Sequence, residues 1–107
     1  MIAPQQLLDE MVTRIKDSVQ PERIILFGSR ARGTAHENSD FDLLVIKNSD
    51  QPRYCRSAAL YRILADLPAE VEVVVYTPGE VQEWSAVPEA FVTTAISEGK
   101  ILYEKKV

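Results

Sequence analysis

Two aspartates separated by one residue follow a glycine–serine pair after an interval of ten residues. Gly28 and Ser29 come directly after a short apolar run, and Asp40 and Asp42 open the next one. A small-residue turn that enters a helix presents backbone N–H groups, which suit a phosphate. Carboxylates two positions apart on a strand share a face, and Mg²⁺ favours carboxylate oxygens together with substrate phosphates. The combination predicts nucleotide chemistry.

Each half of this pattern also has an ordinary structural explanation. Gly28 and Ser29 could form only a turn, with Ser29 as a helix cap, and an Asp at a strand start is often solvated. Asp42, however, is followed by the apolar run 43–46, so its carboxylate should lie at the edge of the core and need a partner. No Lys or Arg follows before Lys47, which favours a cation from outside.

A third carboxylate, Glu72, interrupts the valine-rich run 71–76. A lone acid in a buried central strand is costly unless it is paired or metal-bound; the alternative is an edge strand with a face open to water. Glu70 shares that face and is expected to be the solvated acid. If Asp40, Asp42 and Glu72 converged within about 4 Å, each pair would repel by roughly 4 kcal/mol at an effective dielectric of about 20. Convergence would therefore favour bound divalent ions, which can clamp both oxygens of an in-line displacement.

Two arginines flank the glycine turn. Arg30 and Arg32 could neutralise a triphosphate, and the alternative for Arg32 is a solvated helix face. His36, in a polar loop, is expected to be solvated. Trp84 and Phe91 are expected to pack in the core or at its edge rather than to stack on a base.

The elements that must position these residues follow from hydrophobic periodicity and turn signals. We expect helices at 4–19, 53–66 and 88–98, short helices at 29–33 and from 77–79 to 84, a loop at 34–39, and strands at 23–27, 41–47, 71–76 and 100–103. Pro21 and Pro68 end the two long helices, and Gly99 is expected as the C′ residue of the last one. This order predicts an α/β or α+β layer fold, in which helices cover a small sheet.

Composition limits the class of protein. With 107 residues, 46% of them apolar, we expect a single domain over 1–107 with one core. A net charge of −4 argues against direct nucleic-acid binding. One cysteine, Cys55, allows no internal disulfide, and without a signal peptide it predicts a cytoplasmic location. No apolar run approaches the roughly 20 residues that span a bilayer, so no membrane association is expected.

The spacing Gly-Ser, ten residues, Asp-X-Asp resembles the signature of the nucleotidyltransferase superfamily that includes DNA polymerase beta. The fuller strings, Gly28 to Thr34 and Ser39 to Val45, resemble the minimal nucleotidyltransferases that partner HEPN proteins in prokaryotic toxin–antitoxin pairs. The resemblance covers essentially the whole chain. It implies a nucleotidyltransferase fold with a small mixed β-sheet, the use of Mg²⁺ (two ions) and ATP, and transfer of AMP.

The resemblance also assigns roles to individual residues. It implies triphosphate binding at Gly28 and Ser29 and metal binding at Asp40 and Asp42. It gives the base role to the acid of the third strand, which is commonly Asp in the superfamily and is Glu72 here.

The predicted function is AMP transfer from ATP to a hydroxyl of a HEPN partner toxin, which the transfer would neutralise. We expect catalysis and metal binding by Asp40, Asp42 and Glu72. We expect nucleotide binding by Gly28, Ser29, Arg30 and Arg32. One alternative is an antitoxin that blocks its partner by contact alone. The other is a transferase acting on a small-molecule hydroxyl, although enzymes of that kind usually carry an added acceptor domain.

Overall fold

Six helices and four strands are present in the computed structural model, which describes residues 2–36 and 38–106. The helices are α1 (Pro4–Val19), α2 (Ser29–Arg32), α3 (Arg53–Arg56), α4 (Ala58–Leu64), α5 (Pro78–Trp84) and α6 (Phe91–Glu98), and the strands are β1 (Arg23–Phe27), β2 (Phe41–Ile46), β3 (Val71–Tyr76) and β4 (Lys100–Glu104). In this described part of the chain, no helix is both long and apolar enough to cross a membrane.

The four strands form one mixed sheet in the order β3-β2-β1-β4. The central strand β1 is antiparallel to both of its neighbours, whereas β2 and β3 run parallel. The mixed sheet that the family resemblance implied is therefore confirmed. Because β2 and β3 are parallel and β1 opposes them, the C-terminal end of β1 meets the N-terminal ends of β2 and β3 at one end of the sheet.

Helices pack on both faces of the sheet. On one face, α1 and α4 contribute Met11 and Leu60 to the larger core. On the other face, α6 contributes Val92 to a smaller core. Strand β1 is buried on both sides, as its apolar sequence predicts, because Ile24 faces the larger core and Ile25 the smaller one.

The first helix, the strands at 23–27 and 71–76 and the short helix ending at Trp84 have the predicted bounds. Strand β2 ends one residue early, at Ile46, and β4 extends one residue further, to Glu104. The turn that follows β1 is helical over Ser29–Arg32, with Gly33 as its left-handed cap.

The prediction of one helix at 53–66 is wrong, because the helix is divided at Ser57. In the first turn the Cys55 N–H bonds to the Pro52 carbonyl, three residues back, so α3 is tight and short. The Arg56 guanidinium then reaches across to the Val75 carbonyl and the Glu80 carboxylate. These contacts hold α3 against the edge of β3, while α4 continues along α1.

The last helix begins at Phe91 rather than at Pro88. The preceding residues form turns, in which the Ala90 N–H bonds to the Val87 carbonyl and the Val87 N–H to the Trp84 carbonyl. Ala90 itself is extended, with φ −64° and ψ 142°, so the helical conformation starts only after it.

Gly99 follows α6 for a different reason from the one expected. Its φ of −82° is open to any residue, so no left-handed cap is formed. A Cβ at this position would instead meet the Ala95 carbonyl oxygen, Cγ2 of Ile25 at 2.6 Å and the Leu26 carbonyl oxygen at 2.8 Å. The missing side chain lets the chain pass directly against β1 as it enters β4.

We therefore predict that Gly99→Ala destabilises the protein by about 1–3 kcal/mol, the range for overpacking a filled core. Chemical denaturation measures the change. Gly79→Ala is the matched control, because the nearest atom to a Cβ there is Oγ1 of Thr77 at 3.9 Å. Equal stabilities for the two variants would show that β1 is not packed against Gly99 as described.

Candidate functional site

One row of side chains crosses the sheet at the end where β1 stops and β2 and β3 begin. Phe27 is the cross-strand partner of Asp42, and Asp42 is the partner of Glu72. Side chains of one row point to the same face of a sheet. Leu44, two residues beyond Asp42, belongs to the smaller core, so this row faces the α6 side.

The glycine turn and the Asp42 carboxylate touch. Gly28 has a positive φ of 73°, a conformation that L side chains rarely adopt. A Cβ at Gly28 would collide with Oδ2 of Asp42, and Cγ of Asp42 would be 3.1 Å away. The carboxylate thus occupies the space that any other residue at position 28 would fill.

Ser29 begins α2 directly beyond this contact. The Gly28 carbonyl accepts the N–H groups of Ala31 and Arg32, both at 3.1 Å, and the Ser29 carbonyl accepts the Thr34 N–H at 3.0 Å. Within residues 2–36 and 38–106, no hydrogen-bond acceptor is found for the N–H or the hydroxyl of Ser29. Both groups are available to a ligand next to Asp42, in keeping with the predicted phosphate contact.

The electrostatic environment of Asp42 is unfavourable to its charge. Desolvation by partial burial raises the pKa of Asp42 above its ordinary value of 3.8, and the negative charges of Glu72 and Asp40 raise it further. The Arg32 guanidinium acts in the opposite direction. The positive charge that favours ionised Asp42 therefore precedes it in the chain. The sequence argument considered basic residues after Asp42 and so did not identify it.

Glu72 lies on an edge strand. Of the two alternatives for 71–76, a buried central strand and an edge strand, the structure has the edge strand, because β3 is the outermost strand next to β2. The Glu72 side chain is exposed to solvent, so the alternative of a face open to water is the observed one. Because Glu72 is paired with Asp42 in the strand register, its charge still acts at the site. Its exposure leaves the carboxylate accessible to a second molecule.

Asp40 precedes β2 and is exposed, while its charge acts on Asp42. The charges of Asp40 and Glu72 thus both act on Asp42 at one end of the sheet. Among the described residues, however, no group of three or more His, Cys, Asp or Glu side chains is close enough together to hold a metal ion. The predicted metal ligands remain a prediction.

Arg30 is directed away from the Asp42 row. Its guanidinium donates from Nε and Nη2 to the Ser39 carbonyl, at 3.1 and 2.7 Å, and lies 3.9 Å from the centre of the Phe41 ring. Phe41 belongs to the larger core, on the opposite face from Asp42. A triphosphate contact of Arg30 stays a prediction.

Of the two aromatic residues expected at the core edge, Phe91 packs against the Asp42 row. The Phe91 ring packs edge-on against Phe27, with centroids 5.3 Å apart, and is 47% exposed. Trp84 is 41% exposed at the end of α5. Periodicity could not show that Phe91 would cover the cross-strand neighbour of Asp42, because the contact joins residues far apart in the chain.

Comparison with protein families assigns the fold. Residues 10–107 match the family described as polymerase beta, nucleotidyltransferase. The chain belongs to this nucleotidyltransferase family. The match covers the glycine turn and all three acids, so the resemblance seen in the signature extends to the whole set of strands.

A curated relative is a Methanocaldococcus jannaschii protein, MJ1305, provisionally named a protein adenylyltransferase. The two sequences are 45% identical over 67 residues, which cover 60% of this chain and 43% of the relative. The match thus spans less than half the length of that protein.

Solved structures share the nucleotidyltransferase fold. A Sulfolobus solfataricus protein, provisionally assigned as a nucleotidyltransferase, superposes with a TM-score of 0.67 at 22% identity, covering 92% of this chain and 78% of its own. A toxin–antitoxin complex solved with AMP-PNP gives a TM-score of 0.61 at 24% identity, and a mutant of the MntA–HpeT toxin–antitoxin gives 0.59 at 22%. In both, the coverage is 92% of this chain and 73% of the neighbour.

The donor set at the end of the sheet is compatible with a divalent cation. Asp40, Asp42 and Glu72 supply only carboxylate oxygens, the ligand type that Mg²⁺ accepts, and the charges of Asp40 and Glu72 raise the cost of ionising Asp42. A cation among them would relieve that cost, because an opposite charge favours the ionised form.

The pKa shift of Asp42 predicts its effect on stability. A carboxyl that ionises less readily in the folded chain costs stability once the pH exceeds its unfolded pKa, and the cost vanishes as the pH falls below 3.8. Asp42→Asn should therefore raise the Tm of the metal-free protein at pH 7, in EDTA, and the difference from wild type should disappear near pH 3.

Asp66→Asn is the control of opposite sign. Hydrogen bonding to Arg14 lowers the pKa of Asp66, so its ionised form is favoured by folding. Removing that charge should leave the Tm at pH 7 unchanged or slightly lower, since the pair is exposed. A Tm for Asp42→Asn below that of wild type at pH 7 would contradict the conclusion that ionised Asp42 destabilises the folded chain.

Proposed function

We propose that this nucleotidyltransferase transfers AMP from ATP to a hydroxyl of a partner protein. The observation that supports it most is the contact between the Asp42 carboxylate and Gly28, which joins the phosphate-binding turn to the acidic row. A phosphate held at the Ser29 N–H and hydroxyl would lie beside carboxylates whose mutual repulsion favours a cation.

The reaction is an in-line displacement at the α-phosphorus. The acceptor oxygen forms a bond to the α-phosphorus, the bond from that phosphorus to the oxygen bridging it to the β-phosphate breaks, and pyrophosphate leaves. Such transfers depend on positioning and charge neutralisation more than on covalent chemistry by the protein. Bound Mg²⁺ would neutralise the triphosphate and the leaving pyrophosphate.

Each acid has a distinct place in the proposal. Asp40 and Asp42 would hold the metal. Glu72 would also bind metal and would take the proton of the acceptor hydroxyl, and its exposure on the edge strand is consistent with access by a second protein. Arg32, whose charge already favours ionised Asp42, would balance the triphosphate.

The partner that we propose is a HEPN-type toxin, which the added AMP would inactivate. The support is the family resemblance of the signature, together with structural neighbours that are toxin–antitoxin complexes, one of them with AMP-PNP. In another neighbour two aspartates, spaced as Asp40 and Asp42 are, were both replaced by glutamate. A cytoplasmic location agrees with such a pair.

The experiment combines the protein, in substoichiometric amount, with the product of its neighbouring gene, Mg²⁺ and each nucleoside triphosphate. Intact mass spectrometry should show additions of about 329 Da per AMP on the partner, with ATP preferred. The partner should stay inactive after the two proteins are separated. The Asp40→Asn, Asp42→Asn double variant should bind the partner but add no mass.

A pure blocker behaves differently in the same experiment. It must be stoichiometric, and its effect must reverse on separation. Protection of cells by the double variant at the level of wild type, at matched expression, would favour the blocker and reject AMP transfer as the mechanism of neutralisation. Mass added to a small-molecule hydroxyl but not to the partner would favour the third alternative.

A further inference from the structure

We propose that Arg30 is a positioning residue for Asp40. Its guanidinium binds the peptide group before Asp40 and packs on the side chain after it. The consequence for catalysis rests on the proposed AMP transfer, whereas the consequence for the backbone of the loop does not.

Arg30 makes a two-point contact with the end of the loop. Two of its N–H groups converge on the Ser39 carbonyl oxygen, and the flat face of the guanidinium lies over the Phe41 ring. Phe41 is only 3% exposed, so the ring beneath the cation is held by the core. Hydrogen bonds from a charged donor are stronger than neutral ones, and stacking on an aromatic ring adds to them.

Both peptide groups that flank Asp40 are thereby fixed. The carbonyl of Ser39, before it, accepts from Arg30, and the N–H of Phe41, after it, donates to the Glu70 carbonyl at 2.9 Å. The second bond is part of the β2–β3 pairing. The first is made by a side chain of α2, so the direction of the Asp40 side chain depends on Arg30.

The position of Arg30 in the chain links the phosphate-binding turn to Asp40. Arg30 is the second residue of α2 and follows the Gly28–Ser29 turn directly. The same short segment therefore carries the phosphate-binding turn at one end and ties down the Asp40 backbone with its side chain. By binding the Ser39 carbonyl, the guanidinium sets the distance between the Gly28–Ser29 turn and the Asp40 carboxylate. This role differs from binding phosphate.

The charge effects agree with this division between the two arginines. The cation that favours ionised Asp42 is Arg32. The Arg30 guanidinium lies against Phe41, on the face of the sheet opposite to the Asp42 row. Arg32 is thus placed to balance charge, whereas Arg30 is placed to hold the loop backbone that carries Asp40.

The variants that test the proposal are Arg30→Met, which keeps much of the length and packing but removes the donors, and Arg30→Lys, which keeps a charge and a single donor head. Arg62→Met, at an exposed position of α4, is the matched control. Hydrogen exchange read by mass spectrometry should show faster exchange over 34–41 in Arg30→Met, an intermediate effect in Arg30→Lys, and none in Arg62→Met. Exchange at α1 should stay as in wild type.

Steady-state kinetics on the partner separate positioning from phosphate binding. For a positioning residue, Arg30→Met should lower kcat by about 10–100-fold, because displacements of about 1 Å cost that much, with the KM for ATP within about 3-fold of wild type. The Mg²⁺ concentration at half-maximal rate should rise. Arg30→Lys should recover part of kcat.

Three outcomes would overturn the proposal. The first is unchanged hydrogen exchange over 34–41 in Arg30→Met. The second is a raised KM for ATP with unchanged kcat, which indicates a direct phosphate contact. The third is a lower Tm with normal kcat per folded molecule. If wild type transfers no AMP at all, the proposed function fails, and the exchange comparison still decides whether Arg30 holds the loop.

Discussion

The packing of the Asp42 carboxylate against Gly28 is the constraint on which the rest of the site depends. It requires a residue without a side chain at a positive φ, and it requires Asp42 to face the α6 side of the sheet. A slip of one residue between β1 and β2 would turn Asp42 into the larger core, where an unpaired carboxylate is very costly. Phe41 and Leu43, which face that core, therefore fix the position of the acid between them.

The site concentrates unfavourable charge, whereas two acids elsewhere in the fold are paired. Glu80 is bound by Arg56 and caps α5 together with Thr77, and Asp66 is bound by Arg14. Asp42 has two acids nearby, and the charge of Arg32 offsets them in part. Strain of this kind persists where the surrounding structure fixes it, and it is common at functional sites. The two-sided core and the ion pair between Arg56 of α3 and Glu80 of α5 provide that rigidity, and a cation bound at the site would relieve the repulsion.

Local patterns predicted most elements, because each depends on nearby residues. The amphipathic period of α1, the β-branched run of β3 and the Thr77-Pro78 start of α5 are complete within their own segments. Two features that the sequence alone did not settle depend on contacts between distant segments. The break at Ser57 follows from Arg56 reaching β3 and α5, and the exposure of Glu72 follows from the order of the strands, which no local pattern encodes. At the site, the types and spacing of Asp40 and Asp42 were informative, but the role of Arg30 depends on a loop that returns to it.

The most direct test compares two glycines that share a positive φ but differ in ψ, which is −157° at Gly28 and 14° at Gly33, and in their neighbours. Gly28 and Gly33 have φ values of 73° and 78°, and a Cβ would strike Asp42 at Gly28 but nothing within 4 Å at Gly33. Gly33→Ala should cost about 1 kcal/mol of stability, from left-handed backbone strain. Gly28→Ala should cost more, because its φ and ψ are essentially restricted to glycine and a Cβ there meets Asp42. Calorimetric titration with ATP and Mg²⁺ should show at least about a tenfold loss of affinity, or about 1.4 kcal/mol, for Gly28→Ala alone. Equal affinities in the two variants would contradict a nucleotide site built on the contact between Gly28 and Asp42.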